Sequence, residues 1–216
     1  MYKNFEQGRS MIEMLGVLAI IGVLSVGGIA GYSKAMEKFK INKLIEEYNM
    51  AIFGALEHIE DFRKLTEPNG GEANSVGLKQ MFVDLGLVPH TWKIGNLGPR
   101  SLIDSSNNVV GVASRNQKLL FDIYIGGVST NDENKTISPA YSAKLCKEIF
   151  QNITKPLHSV IYVSALYKTT GGYELYYGDS FCGNNKKCLN DITVEDINKI
   201  CNSCTPKDAC GVAMQF

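Results

Sequence analysis

Six cysteines, three histidines, a set of tyrosines and one isolated carboxylate are the residues whose types and spacing could do chemistry in this chain. All six cysteines, Cys146, Cys182, Cys188, Cys201, Cys204 and Cys210, follow residue 145 of the 216. An even number gathered in one region reads as disulfides formed outside the cytosol. Zinc is the alternative, because Cys201-Asn-Ser-Cys204 has metal-pair spacing, but the five residues between Cys182 and Cys188 exceed the usual two to four. A thioredoxin-type redox pair would need a βαβ frame, which is missing. His58, His90 and His158 are far apart, and there is neither a P-loop lysine motif nor a Gly-x-Ser-x-Gly elbow. No enzyme, cofactor or metal is therefore expected. Tyr162, Tyr167, Tyr173, Tyr176 and Tyr177 could line a binding face, with core or cross-strand packing as the competing use. The Asp and Asn residues at 131–134 and 190–191 lack the regular spacing of a calcium loop.

The isolated carboxylate is Glu13. No charge lies between it and Lys34, and Met14 to Tyr32 reads MLGVLAIIGVLSVGGIAGY. As a helix those 19 residues would extend about 28 Å, close to the ~30 Å hydrocarbon layer of a bilayer. A carboxylate at the start of such a helix costs on the order of 3 kcal/mol and by default marks a function. The whole-chain averages conceal this segment. With 44% hydrophobic residues, 22 acidic and 22 basic side chains and a mean hydropathy of −0.07, the chain looks like a soluble domain. Those values exclude disorder and a polytopic membrane protein, and zero net charge gives no reason to expect nucleic acid.

A cleaved secretory signal fits poorly, since the tract exceeds the usual apolar core and Lys34, Glu37, Lys38 and Lys40 stand where a small-residue cleavage site belongs. The helical pattern also continues. Met36, Phe39, Ile41, Leu44, Ile45, Tyr48, Ile52, Ala55, Leu56, Ile59 and Phe62 recur at threes and fours. One helix is expected from about Ser10 to Leu65, uniformly apolar first and amphipathic after, ended by Pro68 and the Asn69-Gly70-Gly71 turn. A coiled coil is the alternative, but a heptad does not hold through the glycine-rich part. Orientation is contested: Lys34, Lys38, Lys40 and Lys43 after the tract outnumber Lys3 and Arg9 before it, which would put the cysteines in the cytosol.

The junction Gly8-Arg9-Ser10-Met11-Ile12-Glu13, followed at once by the apolar run, resembles the N-terminus of type IV pilins. In that family a leader ending in Gly is removed by a prepilin peptidase, the new amine is N-methylated, and the fifth mature residue is Glu. The resemblance implies cleavage between Gly8 and Arg9 and makes Glu13 that fifth residue, paired in a homo-oligomeric helical filament with the α-amine of Arg9 on a neighbouring subunit. It implies an inner-membrane prepilin that the assembly machinery polymerises into a surface pilus for adhesion, aggregation, conjugation or motility. Gly27, Gly28 and Gly31 would permit close helix approach; ordinary membrane-helix glycines are the alternative. Gly86-Leu-Val-Pro89, a β-rich stretch, and Ser138-Pro139 opening a helix with Cys146 are similar in order to type IVb pilins, including the plasmid-encoded thin-pilus group. In that group a disulfide joins a middle helix to the C-terminal region. The eight-residue leader is short for the group, and Arg9 stands where a hydrophobic residue or Met is usual. Other readings are a minor pilin or type II secretion pseudopilin, and a membrane-anchored periplasmic binding protein.

The implied division is 1–8 leader, 9–33 membrane and filament-core helix, and 34–216 globular head. The fold class is α+β: a long N-terminal helix packed on an antiparallel sheet, with a disulfide-rich C-terminal region. Ser75 is expected to cap a helix through Asp84 ended by Gly86, and Val109–Ala113 and Lys118–Ile125 to pair as strands. Ser138 with Pro139 should open a helix to about Ile153, and Thr193 a short one to about Ile200. Leu157–Leu166 and Tyr173–Tyr177 read as strands, with Gly211–Phe216 closing the sheet. The expected disulfides are Cys146 with Cys210, Cys182 with Cys188, and Cys201 with Cys204.

Overall fold

A computed structural model of the chain describes residues 11–131 and 134–216. The chain divides into two compact units, Met1–Asn42 and Lys43–Phe216. Helix α1 (Met11–Glu57) contributes to both. It holds without a break through its glycines because each costs only up to about 1 kcal/mol and no proline interrupts it. It ends before Leu65, however. His58 leaves helical geometry (φ −106°, ψ 13°) and a short helix, α2 (Ile59–Arg63), starts anew. Neither Pro nor Gly forces the break; packing selects it. The turn buries Phe62, which stacks on Phe82 with ring centroids 5.9 Å apart, and Ser114 Oγ donates to the Phe62 carbonyl at 2.7 Å.

The strands are β1 (Val76–Gly77), β2 (Lys93–Ile94), β3 (Ser101–Ile103), β4 (Val109–Arg115), β5 (Lys118–Tyr124), β6 (Ser129–Thr130), β7 (Thr136–Ile137), β8 (Val163–Lys168), β9 (Tyr176–Tyr177), β10 (Lys187–Cys188) and β11 (Cys210–Gln215). The main sheet has the order β10-β9-β8-β11-β5-β4-β3-β2, with β1 beside β4, and β6 pairs with β7 separately. It is mixed rather than antiparallel throughout, since β9 and β10 run parallel. The last strand does not close the sheet but lies inside it, hydrogen-bonded to β8 and β5. β8 begins only at Val163, because Leu157 and Val160 are held in turns by N–H bonds to the Ile153 and Leu157 carbonyls.

Strand alternation gives the sheet one apolar face: Val110, Val112, Phe121, Ile123, Val212 and Met214 are all fully buried. The α1 stripe Leu44, Ile45, Tyr48, Ala51, Ile52 and Ala55 is buried with them, whereas Phe39 is exposed. Two carboxylates are sunk where the stripe meets the loops around β2 and β3. Glu47 accepts from Thr91 Oγ1 at 2.8 Å and Trp92 Nε1 at 3.0 Å. Asp104 accepts from the Ser106 and Asn108 amides, from Asn108 Nδ2 and from the Tyr48 hydroxyl. Burial, then the Asp104 charge, raises the Tyr48 phenol well above its ordinary range and keeps it a donor.

Two expected helix starts are displaced. Ser75 does not cap: Val76–Gly77 pairs with β4 and the Leu78 amide bonds the Val112 carbonyl, so the sheet takes that backbone and α3 starts later (Lys79–Asp84). Gly86 still ends it, at φ 69°. Ser138 Oγ accepts from the Cys210 amide at 3.1 Å, and α4 (Ala143–Ile149) is capped instead by Ser142, which accepts from the Leu145 amide. A π-helical turn, Phe150–Thr154, follows. Helix α5 (Val194–Cys201) is capped by Thr193 through a capping box with Asp196, close to expectation.

Candidate assembly helix and open sheet face

In α1, Glu13 is followed by a stretch long and apolar enough to cross a membrane, and none of it is buried within the chain. Leu15, Leu24 and Ile29 are each more than 60% exposed. Apolar surface this extensive needs a partner, lipid or protein; the helix is compatible with membrane anchoring. A Cβ placed at Gly27, Gly28 or Gly31 would meet nothing within 4 Å, so the chain itself does not require glycine there. Gly8 and Arg9 lie outside the described residues.

All six cysteines form disulfides, and two of the three expected pairings are corrected. Cys182–Cys188 forms as expected. Cys146 bonds Cys201, not Cys210, so the middle-helix cysteine does reach the C-terminal region but at a different partner. Helix geometry explains it: Cys201 falls four residues after Ile197, on the buried face of α5 that packs against α4. Cys204 lies beyond the helix end and bonds Cys210 across a loop curled by Asp208. That carboxylate accepts from the Thr205 amide at 3.3 Å and hydroxyl at 2.6 Å, and from the Thr170 amide at 3.1 Å and hydroxyl. The CxxC pair is thus divided between two disulfides. His158 Nδ1 meets Asp179 at 2.7 Å, and no hydrogen bond or ion pair brings a second histidine to that pair among the described residues.

The other sheet face is polar and concave. In register across the strands stand Ser101, Gly111, Asp122, Ala213 and Ala165. The parallel row two residues away runs Val109, Tyr124, Gly211, Tyr167. Small residues make the floor, and Tyr124 and Tyr167 meet edge-on above Gly211, centroids 6.3 Å apart. A Cβ at Gly211 would come within 3.1 Å of the Tyr124 ring, so glycine permits this closure. Tyr167 also touches Tyr173, at 5.5 Å. The resulting cleft of about 470 Å³ shares Asp122, Arg100, Tyr124 and Tyr167 with a neighbouring one of about 260 Å³.

Asp122 makes no hydrogen bond or ion pair to any of the described residues. Burial raises its carboxyl to about 7, against the opposing pull of Arg115 and then Arg100. Arg115 is engaged with Glu72 at 2.8 Å, and Arg100 donates to Ser75 Oγ at 3.4 Å. Of the tyrosines singled out in the sequence, Tyr162, Tyr167, Tyr173 and Tyr177 line the larger cleft, while Tyr176 is buried. Asp122, Tyr124 and Arg100 were missed. The signal for the first two was the alternation in Lys118–Tyr124, which puts them opposite Phe121 and Ile123.

Comparison with protein-family models, with curated proteins and with solved structures gives no match for this chain.

Proposed function

We propose that this chain is the structural subunit of a IVb-like type IV pilus: a prepilin held in the inner membrane, cut after Gly8, N-methylated at Arg9 and polymerised into a surface filament. The observation that carries the reading is Glu13 at the head of an uncharged stretch of α1, residues 14–33, in which no side chain is buried. A carboxylate taken into a water-free bundle needs a positive partner, and the Arg9 α-amine of an adjacent subunit would supply one. That pairing sets axial register more than net stability. The open surroundings of Gly27, Gly28 and Gly31 suit close approach by a second helix. Disulfides in the globular unit fit a protein that leaves the cytosol.

The test is the intact mass and N-terminal sequence of the protein from its native membrane or from sheared filaments. Processing predicts a chain beginning at Arg9 with one added methyl group; a chain beginning at Met1 would overturn the reading. Glu13→Ala should be cleaved normally yet give no filaments, and normal filaments would remove the registry role.

A further inference from the structure

We propose that the cleft over Asp122 is a binding site for a neutral pyranose ring, such as one carried by a surface glycan. The site lies wholly within the unit Lys43–Phe216 and does not rest on the filament reading.

The chemistry of the ligand follows from what the cleft offers. Tyr124, Tyr167 and Tyr173 present ring faces and edges beside a floor of glycine and alanine, which suits a flat ring with apolar C–H faces. Each phenol also carries a hydroxyl, and burial holds that of Tyr124 well above its usual range, as a donor. Asp122 sits half-buried in the floor, with acceptor oxygens that no described residue uses and that are open to the cleft. Ring hydroxyls would satisfy it. Arg100 retains guanidinium donors beyond its long contact to Ser75.

Charge narrows the choice. Arg115 is paired with Glu72, and Arg100 is offset by Asp122 where that carboxyl is ionised, so neither a cation nor a polyanion is selected. A peptide strand is disfavoured because the site is a sheet face whose backbone groups are already paired, not an open edge. The larger cleft has the size of a small-molecule site, within roughly 300–1,000 Å³. Its neighbour across Tyr124 and Tyr167 would take a second ring.

The experiment uses the full chain in phosphatidylcholine nanodiscs free of glycolipid. Methyl glucoside, galactoside and mannoside, then lactose and maltose, are titrated by saturation-transfer NMR and tyrosine fluorescence. At least one should bind saturably with Kd on the order of 1 mM. Asp122→Asn and Tyr173→Ala should each weaken that binding about tenfold or more, with the thermal unfolding midpoint showing that both variants remain folded. Tighter binding of a disaccharide would place rings in both clefts, and equal binding would place one ring in the larger; either supports the site. No saturable binding at concentrations on the order of 100 mM, binding that survives both substitutions, or cross-linking through Tyr173→Cys that shows a second copy covering the face would overturn it.

Discussion

Asp122 is the side chain on which the open face depends, and its protonation has a sign that can be checked. A carboxyl raised to about 7 binds its proton more tightly in the folded than in the unfolded chain. The fold therefore gains from it at low pH, and the gain is lost as pH rises from the ordinary carboxyl range through about 7. Asp122→Asn removes the titration while keeping the shape. The variant should match the wild type near pH 4 and exceed it near pH 8 by about 1 kcal/mol, a fraction of the full linkage value because water in the cleft screens the charge. Urea denaturation at the two pH values measures this; an equal difference at both would refute the assignment. At this scale the sequence was partly readable. Alternation exposes Asp122 and Tyr124, but their approach to Arg100 and Tyr167 is set by strand order, which no local pattern encodes.

Among the elements, those whose caps are self-contained were legible and those whose polar groups are claimed from a distance were not. Thr193 and Asp196 satisfy each other across one turn, so α5 could be placed from its own residues. Ser138-Pro139 carries the same kind of start signal, but its hydroxyl serves the first residue of β11, 72 positions away. The disulfides divide less cleanly. Cys182–Cys188 closes a short local loop and was found, Cys204–Cys210 has the same separation and was not, and Cys146–Cys201 depends on two helix faces meeting. Loop length predicts unequal contributions. Removing the bond with a separation of 55 should cost about 4 kcal/mol and the one with a separation of 6 about 2 kcal/mol. Paired Cys→Ala variants of the detergent-solubilised full chain, compared by chemical denaturation under oxidising conditions, test the order; a larger loss at Cys182 and Cys188 would contradict it.

For the whole molecule, the helix that reads most clearly as a membrane segment also supplies part of the globular core, and the boundary between those uses can be located. Leu44, Ile45, Tyr48, Ala51, Ile52 and Ala55 are buried in the unit that begins at Lys43, and Glu47 and Tyr48 hold the polar groups of Trp92 and Asp104. Among the described residues before Lys34 no comparable debt exists, and their apolar side chains are exposed. A chain started at Lys34 should therefore be water-soluble and unfold cooperatively with its three disulfides formed, while the full chain partitions into membranes. A chain started at Gly54 loses Tyr48 and Ile52, both fully buried. Each removal on that scale costs roughly 2–5 kcal/mol; with Leu44 and Ile45 also lost the total is comparable to a typical stability of about 5–15 kcal/mol, and Asp104 is left without the Tyr48 hydroxyl. Oxidative expression of the two fragments, followed by circular dichroism and sedimentation velocity, separates the outcomes. A folded Gly54 chain would show that the amphipathic part of α1 is dispensable to the core. An aggregated Lys34 chain would show that residues before it are needed for folding, and the division between membrane segment and globular unit would have to move toward the N-terminus.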